Sequence, residues 1–516
     1  MKNCVRILFA ILTLALCHSK ERVLGGRGWT ERSEGSPGVS DCRPPTPATP
    51  KLECAKALAV TQDDLPEQAR SAMQRATQFF HQQVAVHGGY VYEYSLDLKQ
   101  RQGEGKAADS EIWVQPPGTP TVGMAYVRAF EATGDQQFLT AAVDAAHALM
   151  FGQLESGGWS ASIDFDPKGP HADRYRNGKG RAKGKNYSTL DDDKTQAAVC
   201  LLMQVDKALE FKDAEIHEAT MFALNSILTA QFSNGGFPQG YKEPVSKQPV
   251  IKASFPKYDW RTENHIKDYW DYYTLNDGLA GTVARTLHLA HETYGDEKYR
   301  DALLKLGDFL ILAQMPEPQP GWAQQYNFDM QPMWARKFEP PAVSGRESED
   351  AIETLLFLYE QTGDQKYLAP VGPALAWLNR SKLPDGQVAR FYELETNRPL
   401  YFVRDTYELT YDDSDMPTHY SFKAKPHIEK IGARYEALKQ TGPYRKSVSN
   451  LKTLTRDAQR IIGELDSEGR WLSNDQGKPV TAATHLKGDA PAISSQLFSR
   501  NMERLSEYLT AVKVAH

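Results

Sequence analysis

Cysteine is scarce in this chain, with five in 516 residues, too few and too scattered for a disulfide framework. Cys4 and Cys17 fall in the N-terminal apolar stretch, Cys42 and Cys54 flank a Pro/Thr-rich segment and can pair in an oxidising compartment, and Cys200 sits in an apolar run as a buried thiol. After the N-terminus no apolar run approaches the roughly 20 residues that a membrane span needs, so none is expected. No block of Lys and Arg is long enough to mark a nucleic-acid surface, and the net charge is −6. Any anionic partner must therefore be held by a local group of cations. His and Cys clusters with metal-binding spacing are missing too, which turns attention from zinc to cations that take oxygen ligands.

The first 17 residues have a short basic start (Lys2, Arg6), an apolar run over residues 7–16 and small or polar residues after it. That is a secretory signal pattern, and a secreted or periplasmic product is expected. Bulky Leu16 argues against a lipid anchor on Cys17. Residues 18–62, rich in Pro, Thr and Gly, read as linker.

From about residue 63 a phrase recurs: "AFEATGDQQFL" (129–139), "AHETYGDEKYR" (290–300) and "LYEQTGDQKYL" (358–368). Gly134, Gly295 and Gly363 suit the left-handed position that ends a helix, and Asp135, Asp296 and Asp364 can cap the next one. Each phrase is a helical hairpin. A second phrase follows each hairpin, around Gly88, Gly157, Gly235, Gly321, Gly386 and Gly469. Six such loops imply about six hairpins, and the helices opening them ("QAAVCLLMQV", "GLAGTVARTLHLA", "AIETLLFL") are apolar on most faces, as inner helices are. The expected fold is all-α: a closed or nearly closed (α/α) toroid over 63–430, with a C-terminal helical hairpin, 431–516, packed on it. A straight solenoid is the competitor. In a toroid the glycine-rich and aromatic loops gather at one end and line a cleft. Tyr90, Trp159, Phe237, Trp322 and Trp334 then either stack on sugar rings or cap the core beneath each loop.

Polar groups mark the starts of three inner helices: "STLDDDKTQ" with Asp191, Asp192 and Asp193, "YTLNDGLAG" with Asn276 and Asp277, and "SGRESEDAI" with Arg346 and Glu347. Acidic residues at a helix start complement the macrodipole, with Ser188 or Thr189 as N-cap. Three consecutive charges exceed that need and point to a cation, calcium being the best match for carboxylates without His or Cys. Arginines form the other half: Arg336 in "PMWARKFEPP", and Arg390, Arg398 and Arg404 in "GQVARFYELETNRPLYFVRD". Guanidinium is the bidentate partner of carboxylate, so several on one rim suggest a substrate with regular carboxylates.

The blocks "TLDDDKT", "QFSNGGFPQGY", "YTLNDGLA", "PMWARKFEPPAVSGRES" and "ARFYELETNRPLYFVRD" resemble polysaccharide lyase family ten, the pectic acid lyases, in order and spacing over roughly residues 120–425. The resemblance implies calcium-assisted β-elimination of polygalacturonate, an acidic polysaccharide. It makes Arg336 the catalytic base. Asp191 and Asp277 become metal or substrate residues, Asp192 beside them is a further candidate metal ligand, and Arg390 and Arg404 bind the uronate. Arg398, Lys194, Trp322 and Trp334 complete the candidate substrate-binding set, and a monomer is expected. The chain departs from the family pattern at Asp192 and Asp193, where Asn-Gly is usual, at Phe237 in place of Trp, and in an insertion over about 242–270. Chemistry alone favours Lys194 or a tyrosine as base over an arginine. Two rival readings stand beside the lyase: a glycoside hydrolase with paired carboxylates on the same toroid, and a non-catalytic glycan-binding protein. The basic segment 168–185 reads as a solvated loop or as a mobile lip that steers an anionic chain.

Overall fold

Three hairpins form at the recurring phrase as expected. Gly134, Gly295 and Gly363 adopt φ of 78°, 69° and 70°, and the carboxylates of Asp135, Asp296 and Asp364 accept from the backbone N–H two residues on. The computed structural model describes residues 64–443, 450–473 and 491–515. The signal pattern, the linker, Cys42 and Cys54 lie outside these residues.

Among the described residues there are twelve α-helices: α1 (Leu65–Phe79), α2 (Thr119–Thr133), α3 (Gln136–Phe151), α4 (Lys194–Ala208), α5 (Ala214–Thr229), α6 (Leu279–Tyr294), α7 (Glu297–Ala313), α8 (Gly345–Thr362), α9 (Val371–Arg380), α10 (Ile428–Thr441), α11 (Leu451–Gly463) and α12 (Ser495–Ala515). Helices α12, α2, α4, α6, α8 and α10 neighbour one another in that order as an inner row. Outside them α11, α1, α3 and α5 run in a second row, with α7 and α9 continuing it against α6 and α8. The architecture is an all-α (α/α) toroid. Helix α12 lies between α11 and α2, so the last helix of the chain packs against the first hairpins. Val60–His516 is one compact unit, and the boundary drawn at residue 430 falls inside α10. None of the described helices is long and apolar enough to cross a membrane.

The glycine loops join each hairpin to the next. A side chain on Gly88 would strike the backbone of Asp144 in α3, one on Gly157 would strike Ser226 in α5, and one on Gly235 would meet the Lys305 carbonyl of α7 at 1.9 Å. Gly321 presses in the same way on Trp377 of α9, and Gly469 on the Arg75 carbonyl of α1. A glutamine at the end of the outer helix fastens three of these contacts. Gln153 Nε2 donates to the Gly157 and Ala219 carbonyls at 3.0 Å each, Gln231 to Gly235 and Ala302 at 3.1 and 2.8 Å, and Gln314 to Pro320 and Pro370 at 2.9 Å each. Tryptophan seals the loop from below, the indole N–H of Trp159, Trp322 and Trp471 donating to the Leu149, Leu310 and Ile461 carbonyls. Gly386 is the exception, with nothing close to where its side chain would be. It follows α9, the one step at which the next outer helix is not met.

This contrast predicts unequal costs. Gly386 has φ +80° and open space around it, so Gly386→Ala should cost about 1 kcal/mol for the left-handed backbone alone. Gly235→Ala must in addition displace a helix carbonyl, and about 3 kcal/mol is expected. Urea unfolding of the two variants measures the difference, and equal costs would refute the role given to the loop contact.

Candidate active site

The rim is built from short antiparallel ladders that hold the start of each inner helix beside a glycine loop. Ser188–Thr189 pairs with Gly240–Tyr241, Tyr273–Thr274 with Gln325–Tyr326, and Val343–Ser344 with Phe391–Tyr392. The Leu190 N–H donates to the Gln239 carbonyl, that of Leu275 to Gln324, and that of Gly345 to Arg390. Gln239, Gln324 and Arg390 are thus equivalent positions on three successive units.

The aspartates do not act as ordinary helix-start residues. Ser188 and Thr189 are in a strand, Asp191–Asp193 forms a single 3₁₀ turn, and α4 begins at Lys194 without a side-chain cap. Asp192 has φ 49° and ψ 34°, and Asp277 in the matching turn Asn276–Gly278 has φ 50° and ψ 34°. The following residues, Asp193 and Gly278, are left-handed as well. Two identical backbone turns therefore present Asp192 and Asp277 to the same point. Left-handed geometry is costly for a residue with a Cβ, and here it turns the carboxylates out of the helix axis and towards each other.

Asp191, Asp192 and Asp277 each offer a carboxylate oxygen within 4.8 Å of the others. Lys194 Nζ donates to Asp191 Oδ2 at 3.2 Å and to Asp192 Oδ2 at 3.1 Å, and Gln239 Nε2 donates to Asp191 Oδ1 at 2.8 Å. Arg390 Nη2 reaches Glu347 Oε1 at 2.7 Å, Asn276 Oδ1 at 3.2 Å and Asp277 Oδ1 at 3.8 Å. Burial, and then the neighbouring Asp192, push the Asp277 carboxyl up to about 7, against the pull of Arg390. For Lys194, burial acts downward, but Asp191 and Asp192 outweigh it and raise the ammonium. Arg390 is held charged in the same way by Glu347, Tyr420 and Asp277. Asp192, Asp277, Arg346 and Arg390 line a cleft of about 460 Å³.

Arg336 joins this wall through a tyrosine. Its Nε and backbone N–H donate to Glu339 Oε2 at 2.8 and 3.0 Å, its Nη2 donates to Oε1, and Glu339 is buried. Tyr420 donates to Glu339 Oε1 at 2.9 Å, and its ring lies 5.3 Å from the Arg336 guanidinium and 4.6 Å from that of Arg390. Burial acts to lower the Arg336 pKa, yet Glu339 and then Tyr420 and Tyr269 carry it above the usual arginine value. Glu339 and Tyr420 were not singled out from sequence. The glutamate three residues after an arginine in "ARKFE" was the available signal.

Other candidates fall elsewhere. Trp322 is 0% exposed beneath its loop and cannot touch a substrate. Tyr90, Trp159 and Phe237 are likewise core, so capping wins over sugar stacking at these positions because each loop needs an apolar plug. Trp334, 6% exposed, donates its indole N–H to the Trp260 carbonyl and stacks on His265, beside the cleft rather than in it. Arg398 covers the Tyr411 ring, and Arg404 pairs with Asp415 at 3.0 Å. Neither is brought to the aspartates. In the basic segment Arg174 is bound to Glu155 and Arg176 to Glu218, which pins that loop to the body, and Arg181 donates to the Gly169 carbonyl within the loop.

The family model described as pectic acid lyase matches residues 153–389. No curated protein matches the chain. Solved structures that it resembles include a family 10 polysaccharide lyase from Cellvibrio cellulosa, at 22% identity and TM-score 0.43 over 58% of this chain and 92% of that one. A mutant of that lyase is known in complex with trigalacturonic acid. A cellobiose 2-epimerase from Spirochaeta thermophila is similar at 14% identity and TM-score 0.44 over 88% of this chain and all of its own, 100%. At such distances the structural likenesses decide nothing about activity. The family match is of another kind, since residues 153–389, which resemble pectic acid lyase sequence, contain both aspartate turns, Lys194, Arg336 and its Glu339 clamp.

Proposed function

We propose that the cleft cleaves a polyuronate of the polygalacturonate kind by calcium-assisted β-elimination, with Arg336 as the base. The observation that carries this reading is the meeting of Asp191, Asp192 and Asp277 within 4.8 Å on the wall that also holds Arg390, Lys194 and Arg336. Three crowded carboxylates, one of them pushed up to about 7 by burial and by its acidic neighbour, form a hard-oxygen donor set suited to calcium. When bound there, calcium supplies fixed positive charge that offsets the charge building on the uronate carboxylate as its neighbouring proton leaves. The crowding disfavours a glycoside hydrolase, whose two carboxyl groups stand roughly 5–9.5 Å apart.

Arg390, held charged by Glu347, is placed to pair with the uronate carboxylate, and Lys194 to neutralise charge beside it. Arg336 takes the proton from the carbon next to that carboxylate. The electron pair forms the new carbon–carbon double bond, and the glycosidic oxygen departs from the adjacent carbon. In the free cleft Glu339 holds Arg336 charged, so base action requires the guanidinium to lose a proton first. Export of the chain is part of this proposal and rests on the N-terminal signal pattern.

Three outcomes are expected. Incubation with a panel of polyuronates should release unsaturated product absorbing in the ultraviolet, and a chelator should suppress it. Hydrolysis products without that absorbance would move the assignment to a hydrolase. Arg336→Ala should lose nearly all turnover while still binding substrate, and the wild-type rate should rise with pH above neutrality, because only the neutral guanidine accepts a proton. Glu339→Gln should bring that rise to lower pH by a unit or more. If Arg336→Ala keeps substantial turnover, the base is Lys194 or a rim tyrosine instead.

A further outcome concerns stability. The Asp277 carboxyl ordinarily titrates near 3.8 and is pushed to about 7 in the fold. Between those values the folded protein keeps a proton that the unfolded chain has released, so stability falls as pH rises through the window. Calcium, which takes the ionised form, should therefore raise Tm more at pH 8 than at pH 5. Asp277→Asn should flatten that difference, and an unchanged calcium shift in this variant, measured by calorimetry, would remove Asp277 from the metal site.

A further inference from the structure

Beside the cleft lies a second groove of about 400 Å³ that no residue of the proposed reaction occupies. One side comes from the insertion over 242–270, which brings Arg261 and His265. The other comes from the hairpin of Pro399–Phe402 and Leu409–Thr410 with its flanking residues Tyr407 and Tyr411, beyond the stretch that matches the family. Trp334 and Lys337 form the floor.

The groove combines two fixed cations and a histidine with aromatic faces, and no carboxylate lines it. Arg261 is clamped by the buried Glu393 and lies over the Trp260 ring at 4.5 Å. Glu393 in turn accepts from Tyr411 at 2.6 Å, so its charge is already satisfied below the surface. The Lys337 ammonium sits 3.5 Å from the centre of the Tyr407 ring without a carboxylate partner, and the His265 ring stacks on Trp334 at 4.5 Å. Tyr411 is 40% exposed. Held cations beside a partly exposed tyrosine suit an anionic, partly apolar ligand, and an acidic sugar has both properties.

One stretch of chain links the groove to the cleft. Along residues 333–338 the chain points Arg336 to Tyr420 and Glu339, while Trp334 and Lys337 face the groove. Phe338 contacts Tyr407 on one side and Tyr420 on the other, at ring distances of 5.9 and 4.9 Å. A polymer bound across Arg336 would follow this ridge from one to the other.

We propose that the groove is a remote subsite holding one uronate unit of the same polymer, away from the bond that is cut, with its carboxylate between Arg261 and Lys337 and its ring beside Tyr411. This rests on the polyuronate reading of the cleft and adds a dependence on chain length. The insertion, which departs from the family pattern, is then a device that favours long chains over short ones.

The test compares trigalacturonate with heptagalacturonate on wild type, Lys337→Gln and Arg261→Gln. In chelator, where no turnover occurs, calorimetry should show heptamer binding weakened at least fivefold in each variant. With calcium, the ratio of kcat/KM on heptamer to that on trimer should fall at least fivefold. Heptamer binding equal to wild type in Lys337→Gln, or equal losses on trimer and heptamer, would overturn the subsite. Arg261→Gln leaves Glu393 without its cationic partner and can fail to fold, but Lys337 has no carboxylate partner among the described residues, so its variant decides alone. A wild type that binds the heptamer more tightly than Lys337→Gln but releases no unsaturated product would keep the subsite and sink the lyase.

Discussion

All but one of the described turns of the toroid depend on one close approach, a glycine loop lying against the next outer helix with no room for a side chain. At Gly88, Gly157, Gly235, Gly321 and Gly469 the neighbouring atoms stand where a Cβ would be. The glutamines at 153, 231 and 314 bind loop and helix together, and aromatic plugs beneath remove water from the contact. Because the same small contact repeats, each unit is rotated against the last by a similar amount, and the ends of the inner helices converge. The Gly469 loop reaching α1 extends the rule across the two ends of the chain.

That convergence creates the site. Two matched turns with left-handed residues bring Asp192 and Asp277 to one point, although 85 positions apart in the numbering. Concentrating carboxylates is unfavourable unless positive charge answers them, and Lys194 and Arg390 are the answers that the fold supplies. The cations are themselves fixed by buried acids, Glu347 for Arg390 and Glu339 for Arg336. The wall is an alternation of charges locked before any substrate arrives, which is the arrangement that electrostatic catalysis requires. The same locking opposes a base role for Arg336, and Glu339 is the residue at which that conflict can be measured.

The aromatic residues show how one chemical feature serves two ends. Those inside the repeated glycine phrase, Trp159 and Trp322 among them, are spent on the core, their indole N–H groups bonded to helix carbonyls. Those in segments outside the phrase, Tyr407 and Tyr411, remain exposed enough to meet a ligand. Position relative to the repeat, rather than aromatic character, separates the two.

The sequence by itself determined the helical hairpins, since Gly134, Gly295 and Gly363 with their following aspartates are local signals whose geometry needs no distant partner. It also determined which side chains could carry charge to the rim, because the aspartate and arginine blocks lie at the ends of elements whose order is read along the chain. Tertiary structure alone decided which of those groups meet. Arg390 reaches the aspartates while Arg398 and Arg404 turn to Tyr411 and Asp415, and nothing in the spacing of three arginines along one meander distinguishes them. Trp322 gave the same signal as an exposed platform until burial was known. Glu339 and Tyr420 could not be weighed before the fold set them against Arg336. Contact between residues far apart in sequence depends on how successive units rotate, and that rotation is set by the sub-ångström fit of glycine to helix, which a residue pattern does not encode.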